Sequence, residues 1–195
     1  MKKSIFIVLL LFSSKLFSQE ILKYSDGDLE FSLTKVCEEQ DCQISKIQVL
    51  KNGVLKQSIK PGKNNFRKTF PVDQLFLTED MNFDGRTDFR LIEFLPAGPN
   101  IPYLYWIYNP EQDLFEANSA YTEIIFPDFD NEKKEINSTW RNGCCQHGRD
   151  VFKLIDGVPE LSERFIIGHN SEGKEFSEHW KIEYGEFILI EKKIE

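Results

Sequence analysis

Apolar and polar residues alternate along most of the chain with a period of two, and turn residues break the alternation at intervals of about ten positions. Ile21 to Tyr24 and Leu29 to Val36 read as strands joined across Ser25-Asp26-Gly27-Asp28. The clearest hairpin follows, from Ile44, Ile47, Val49 and Leu50 through Lys51-Asn52-Gly53 to Val54 and onward to Ile59. Asn-Gly supplies the two positive φ angles that a two-residue hairpin turn requires. Gln74 to Thr78 and Phe89 to Leu95 are the next strands, and Tyr103 to Tyr108 is the most aromatic. In that segment Leu104, Trp106 and Tyr108 share one face while Tyr103, Tyr105 and Ile107 share the other, so both faces are expected to be covered. Tyr121 to Phe126, Lys134 to Trp140, Asp150 to Ile155, Leu161 to Ile167, Glu175 to Ile182 and Phe187 to Ile190 continue the series, with Asp128 to Asn131 read as a turn. No helical periodicity persists beyond two turns. The pattern predicts an all-β chain, an antiparallel sandwich or barrel of about eight to eleven short strands in meander order.

The turn between the strands ending at Thr78 and starting at Phe89 carries the candidate chemistry. It reads Asp80-Met81-Asn82-Phe83-Asp84-Gly85-Arg86-Thr87-Asp88, that is D-x-N-x-D-G-x-x-D. Oxygen-bearing side chains at alternate positions of a tight loop converge on one point, and a glycine after the third lets the loop bend far enough to bring the fourth round. Asp80, Asn82, Asp84 and Asp88 would offer side-chain oxygens to calcium, and Arg86 its backbone carbonyl. A helical calcium hand needs a Glu at the twelfth position, where this chain has Leu91, and the flanks are β-formers. The expectation is a calcium loop between strands. The alternative is a solvated acidic turn.

The first residues resemble a secretory signal: Lys2 and Lys3, then Ile5 to Phe12, then small and polar residues to Gln19. The apolar run is too short to span a bilayer as a helix. We therefore expect residues 1–18 to be a signal peptide, residues 19–195 to form one domain, and the protein to be periplasmic or secreted. Removing Lys2, Lys3 and Lys15 from the 24 Lys and Arg leaves 21 against 32 acidic residues, a mature net charge of about −11. Such a chain should avoid nucleic acid and anionic membrane and be drawn to cationic partners. Four cysteines in an exported chain point to disulfides. Cys37 and Cys42 bracket a polar turn, while Cys144 and Cys145 are adjacent, and the sequence leaves all three pairings open. Zinc held by Cys144, Cys145 and His147 is disfavoured because adjacent cysteines splay awkwardly for a tetrahedral site. His147, His169 and His179 stand in no hydrolase or metalloprotease motif, so no catalytic residue is assigned.

Between the strand Phe89 to Leu95 and the aromatic strand, and running into the latter, lies Ala97-Gly98-Pro99-Asn100-Ile101-Pro102-Tyr103. Together, Glu79 to Leu91, this Gly-Pro-Asn loop, Tyr105-Trp106-Ile107-Tyr108 and Pro127-Asp128-Phe129-Asp130 resemble a family of exported bacterial proteins related to the periplasmic inhibitors of invertebrate-type lysozyme. Some members of that family act as immunity proteins against peptidoglycan hydrolases. The resemblance covers about Leu75 to Lys153. It implies a calcium loop and a partner-binding loop, Ala97, Gly98, Pro99, Asn100, Ile101, Pro102 and Tyr103, that plugs the cleft of a cationic hydrolase. The inhibitor pattern begins Ser-Gly where this chain has Ala97-Gly98. Two prolines limit the freedom lost on docking. Other readings are a structural or adhesive calcium module, and a carbohydrate-binding domain in which Tyr103, Tyr105, Trp106 and Tyr108 stack on sugars.

Overall fold

The computed structural model describes residues 18–194. The expected signal segment falls on residues outside that range, except Ser18, which already belongs to the first strand. Fifteen strands form three antiparallel sheets in which sequential strands are neighbours. The first sheet holds β1 (Ser18–Asp26), β2 (Leu29–Glu38), β3 (Asp41–Lys51), β4 (Val54–Ile59) and the short β5 (Phe66–Arg67), which pairs with β3. The second holds β6 (Phe76–Glu79), β7 (Asp88–Ile92), β8 (Tyr103–Asn109) and β9 (Leu114–Ala117). The third holds β10 (Pro127–Asp130), β11 (Glu135–Asn142), β12 (Gln146–Ile155), β13 (Val158–His169), β14 (Glu175–Glu183) and β15 (Glu186–Ile194). The all-β antiparallel meander is as the alternation predicts. The division into three sheets, none of them closed into a barrel, is not, and neither is the strand number.

Local chemistry accounts for most boundaries. Asn52 and Gly53 have φ of 50° and 76°, the left-handed pair expected of the β3–β4 turn. One prediction fails: Tyr121 to Phe126 is not a strand, and the strand lies instead at Pro127–Asp130, where a turn was expected. The side chain of Asn118 accepts a hydrogen bond from Ala120 N and winds Ser119–Tyr121 into a 3-10 turn. This turn drives Tyr121 and Ile124 into the core, both with no exposed surface. Phe126, at φ 43°, redirects the chain into β10. Apolar alternation in the sequence therefore reflected inward-pointing turn residues here.

The core sits where the first two sheets face each other. Phe31 of β2 meets Phe76, Phe89 and Phe115 of the second sheet at ring-centroid distances of 5.1, 5.3 and 5.9 Å, and Trp106 stacks on Phe89 at 4.9 Å. Tilted and offset ring pairs of this kind add to simple area burial. Both faces of β8 are covered, as its pattern implied: Tyr103, Tyr105 and Trp106 are all buried. Burial thins toward the C-terminus, and no side chain of β14 or β15 is buried. Of the three pairings the sequence leaves open, the short-range one forms, Cys37–Cys42 across β2 and β3 and Cys144–Cys145 in the β11–β12 turn. With their sulfurs joined, Cys144 and Cys145 are not thiolates available to zinc.

A buried cation joins the second sheet to the third. Arg90 of β7, 5% exposed, donates to Glu79 Oε1 at 2.8 Å and to the carbonyl of Pro127 at 3.1 Å. Its guanidinium also lies over the rings of Tyr103 and Phe129 at 4.6 and 5.5 Å. Burial raises the Glu79 carboxyl above its ordinary range, and Arg90 pulls it back. Removing one partner of such a pair strands the other. Arg90→Met should lower the unfolding free energy by about 3 kcal/mol in urea melts, and adding Glu79→Gln should restore part of that loss.

Candidate functional site

The loop between β6 and β7 is held by its own acidic side chains. The two carboxylate oxygens of Asp80 accept hydrogen bonds from Asp84 N at 3.0 Å and Gly85 N at 2.9 Å. Asn82 Oδ1 also accepts from Asp84 N at 3.2 Å, and Asp84 Oδ1 accepts from Arg86 N at 2.9 Å. Gly85 has φ of 82°, the sharp bend that the sequence assigned to it. A second left-handed residue was not foreseen. Phe83 has φ of 60°, unusual for a bulky side chain, and its ring packs on Phe129 of β10 at 6.5 Å. The Arg86 guanidinium lies over the Tyr108 ring at 5.6 Å, consistent with a role for the main chain only. Thr87 donates its hydroxyl to Asp26 at 3.0 Å, tying the loop to the β1–β2 turn.

Asp88 is the buried acid of the loop. It has no exposed surface, yet it forms no ion pair among the described residues. One oxygen accepts from Met81 N at 2.9 Å within the loop, and the other from Tyr108 N at 2.7 Å on β8. Because β7 and β8 pair only from Phe89 opposite Trp106 onward, the carboxylate extends the ladder one step past its last backbone pair. Burial pushes the Asp88 carboxyl up to about 6, against these two hydrogen bonds, with Asp84 and Asp80 adding repulsion. The same three carboxylates raise the Tyr121 hydroxyl, whose burial is the larger cause.

Whether these residues fit calcium turns on Asp88. A carboxylate with no solvent contact, in the field of two others and with no counter-cation, is an unbalanced charge that a divalent ion would neutralise. Each carboxylate oxygen keeps a second lone pair after accepting its backbone hydrogen bond. The oxygen-rich donor set is also the kind calcium takes. Against this, no three Asp, Glu, His or Cys side chains among the described residues are grouped closely enough to hold a metal by themselves. The fit therefore relies on Asn82 and the Arg86 carbonyl joining the acids.

The second predicted site is split by the structure. Ala97, Gly98 and Pro99 form the exposed tip, Asn100, Ile101 and Pro102 are half-buried, and Tyr103 is the first residue of β8 and 5% exposed. Tyr103 faces Arg90 and Tyr105, so its ring is not presented to a partner. The tip is stiff. Asn100 donates to the Arg141 carbonyl at 2.8 Å and accepts from Arg141 N at 2.9 Å, locking the loop to β11. Ile101 N donates to the Pro99 carbonyl at 2.9 Å, and Phe126 N donates to the Ile101 carbonyl at 3.2 Å. Neither Arg141 nor Phe126 is marked in the sequence as a partner of this loop, since their contacts lie 41 and 25 positions away.

Of the four aromatic residues considered for stacking on sugars, Tyr103, Tyr105 and Trp106 are buried and Tyr108 is half-buried. Tyr105 donates its hydroxyl to the Ile124 carbonyl at 2.7 Å, and Tyr108 donates to Asp113 at 2.6 Å. Trp106 is covered by Phe89. Of the histidines, His179 bonds Glu163 at 2.9 Å and stacks on Phe165 at 4.2 Å, a satisfied position on the third sheet. Asp88 yields a pH prediction for metal-free protein. Its folded value lies above its ordinary one, so its contribution to stability is full below about pH 4 and is lost as the pH rises through about 6. In chelator, melts between pH 4 and 7 should show a loss of stability on the order of 3 kcal/mol.

No protein-family model matches the sequence, and no curated protein matches it. Among solved structures, the chain is similar to a Xanthomonas type IV secretion system related protein. The two share 15% identity at a TM-score of 0.66, over 91% of this chain and 100% of that one. At that identity the likeness concerns the fold. A Bacteroides fragilis protein with unknown function aligns over 93% of both chains at 9% identity, but its TM-score of 0.31 carries no structural argument.

Proposed function

We propose that this chain is an exported calcium-binding β-protein that inhibits a peptidoglycan hydrolase. Calcium serves as a structural ion and the tip Ala97-Gly98-Pro99 as the contact. The observation that carries this reading is that β7 joins the two predicted sites. The acidic loop enters it at Asp88, and the chain leaves it at Ile92 for the proline-bearing loop. Neutralising Asp88 would fix the start of β7 and the Tyr108 end of β8. The two-point bond between Asn100 and Arg141 fixes the other side of the loop. A tip held on both flanks loses little conformational freedom when it enters a cleft. The packing of the first two sheets across Phe31 reads as a sandwich, and the Tyr103 ring, turned inward against Arg90, supports the base of the loop. Two disulfides fit an oxidising compartment. The acidic chain would speed encounter with a cationic hydrolase.

Isothermal titration of chelator-treated protein should show one calcium per chain, with affinity falling at least about tenfold in Asp88→Asn and Asp84→Asn. Absence of heat at millimolar calcium would remove the metal from the proposal. Inhibition of invertebrate-type lysozyme and related hydrolases should be lost when Ala97 to Pro99 is replaced by three serines, while the melting temperature stays within about 3 °C of the parent. Calcium binding without inhibition of any hydrolase in the panel would leave a structural calcium module.

A further inference from the structure

The inner wall of the exposed tip opens onto a groove that neither predicted site includes. Pro99 and Phe126 stand on one side, and the strand pairs of the third sheet form the floor, enclosing about 640 Å³. Ligand pockets commonly have volumes of this order. Cross-strand register places Thr139, Arg149 and Phe165 in one row and Arg141, His147 and Ile167 in the next. Arg141, His147 and Arg149 are exposed, as are half of the Phe126 surface and 39% of Ile167. The middle of the floor is Gly148. A Cβ there would lie 2.4 Å from the Phe165 carbonyl oxygen and from the Trp140 ring, so the sheet admits no side chain at that point.

The charge of the groove is opposite to that of the chain. The sequence holds 32 Asp and Glu, yet none lines this space. Arg141 and Arg149 have no carboxylate partner among the described residues. Arg149 is oriented nonetheless: it donates to Asn137 at 2.8 Å and lies over Phe165 at 4.5 Å, with His179 stacked on that same ring. An oriented guanidinium beside a second one, with apolar side chains alongside, matches a carboxylate carried on a body with an apolar face. We infer that this groove binds a small carboxylate-bearing ligand, with the carboxylate at Arg141 and Arg149 and the body against Phe126 and Ile167. The carboxylate has two sources of the right size, a sugar acid and a peptide C-terminus. The inference is independent of hydrolase inhibition, because it concerns a small molecule and not a partner protein's cleft.

The test is a titration of residues 19–195, isotopically labelled, with N-acetylmuramic acid, acetyl-D-alanyl-D-alanine, the methyl ester of each, and neutral N,N′-diacetylchitobiose. At least one acid should bind with a Kd near 1 mM or tighter and shift the amides of Arg141, His147 and Arg149, and the acid that binds identifies the source. Its ester should bind at least about tenfold more weakly. Arg141→Gln with Arg149→Gln should abolish the shifts at an unchanged melting temperature, whereas Arg67→Gln on the first sheet should leave them intact. Esters or chitobiose binding as tightly as the acids would overturn the inference, as would no shift of these amides by either acid at about 10 mM. No hydrolase enters the assay, so its outcome is separate from that of the inhibition experiment.

Discussion

A carboxylate cut off from water and bonded to two different pieces of backbone sets the geometry around it. Asp88 accepts from Met81 N and Tyr108 N, so one side chain closes the acidic loop and extends the β7–β8 ladder past its last backbone pair. Both bonds are charge-assisted while Asp88 is ionised, and such bonds are among the stronger ones a protein makes. They are opposed by the cost of keeping that charge out of water. The balance leaves the carboxyl titrating near 6, which is the signature of a group whose environment supplies donors but too little positive charge. The loop is thus held by its own N–H donors.

The rest of the second sheet passes this constraint outward. Phe89, next to Asp88, contacts Phe31, Phe76, Trp106 and Phe115, so the residue that follows the buried carboxylate is the hub of the aromatic core. Two positions on, Arg90 reaches the third sheet through the Pro127 carbonyl. A shift of β7 by one residue would turn Phe89 out of the aromatic core and bring Asp88 or Arg90 into it, since successive strand residues face opposite sides and both sides of β7 are buried. Register here is fixed by three neighbours at once: an acid, an aromatic and a cation. The tip at Ala97 to Pro99 stands five residues beyond the end of this strand and inherits its placement.

Much of this was legible in the chain, and the failures have physical causes. The Asn52-Gly53 hairpin, the β alternation and the bend at Gly85 depend on local backbone preference, which a sequence displays directly. The roles of Arg90, Asn100 and Phe126 depend on partners 37, 41 and 25 residues away, and nothing local announces them. Tyr121 to Phe126 misled because inward-pointing turn residues and strand residues share a composition, and only the capping bond from Ala120 N to Asn118 distinguishes them. Tyr103 was read both as the start of the aromatic strand and, by family resemblance, as the end of the partner-binding loop. The alternation that begins with it shows it to be the first inward residue of β8. The three-sheet division was hidden because a meander reads the same whether or not its ladder is interrupted.

The acidic character of the chain also has to be separated from the character of its surfaces. A net charge governs approach at distances beyond the Debye length, about 8 Å at physiological salt, but contact is governed by the groups that meet. Around the tip those groups are Arg141 and Arg149, beside Pro99 and Phe126. The acids lie elsewhere, three of them in the β6–β7 loop and the first residue of β7. The far field of the chain and the local field of this wall therefore have opposite signs. A group that fits this wall carries negative charge beside an apolar face, whatever the sign of the chain as a whole.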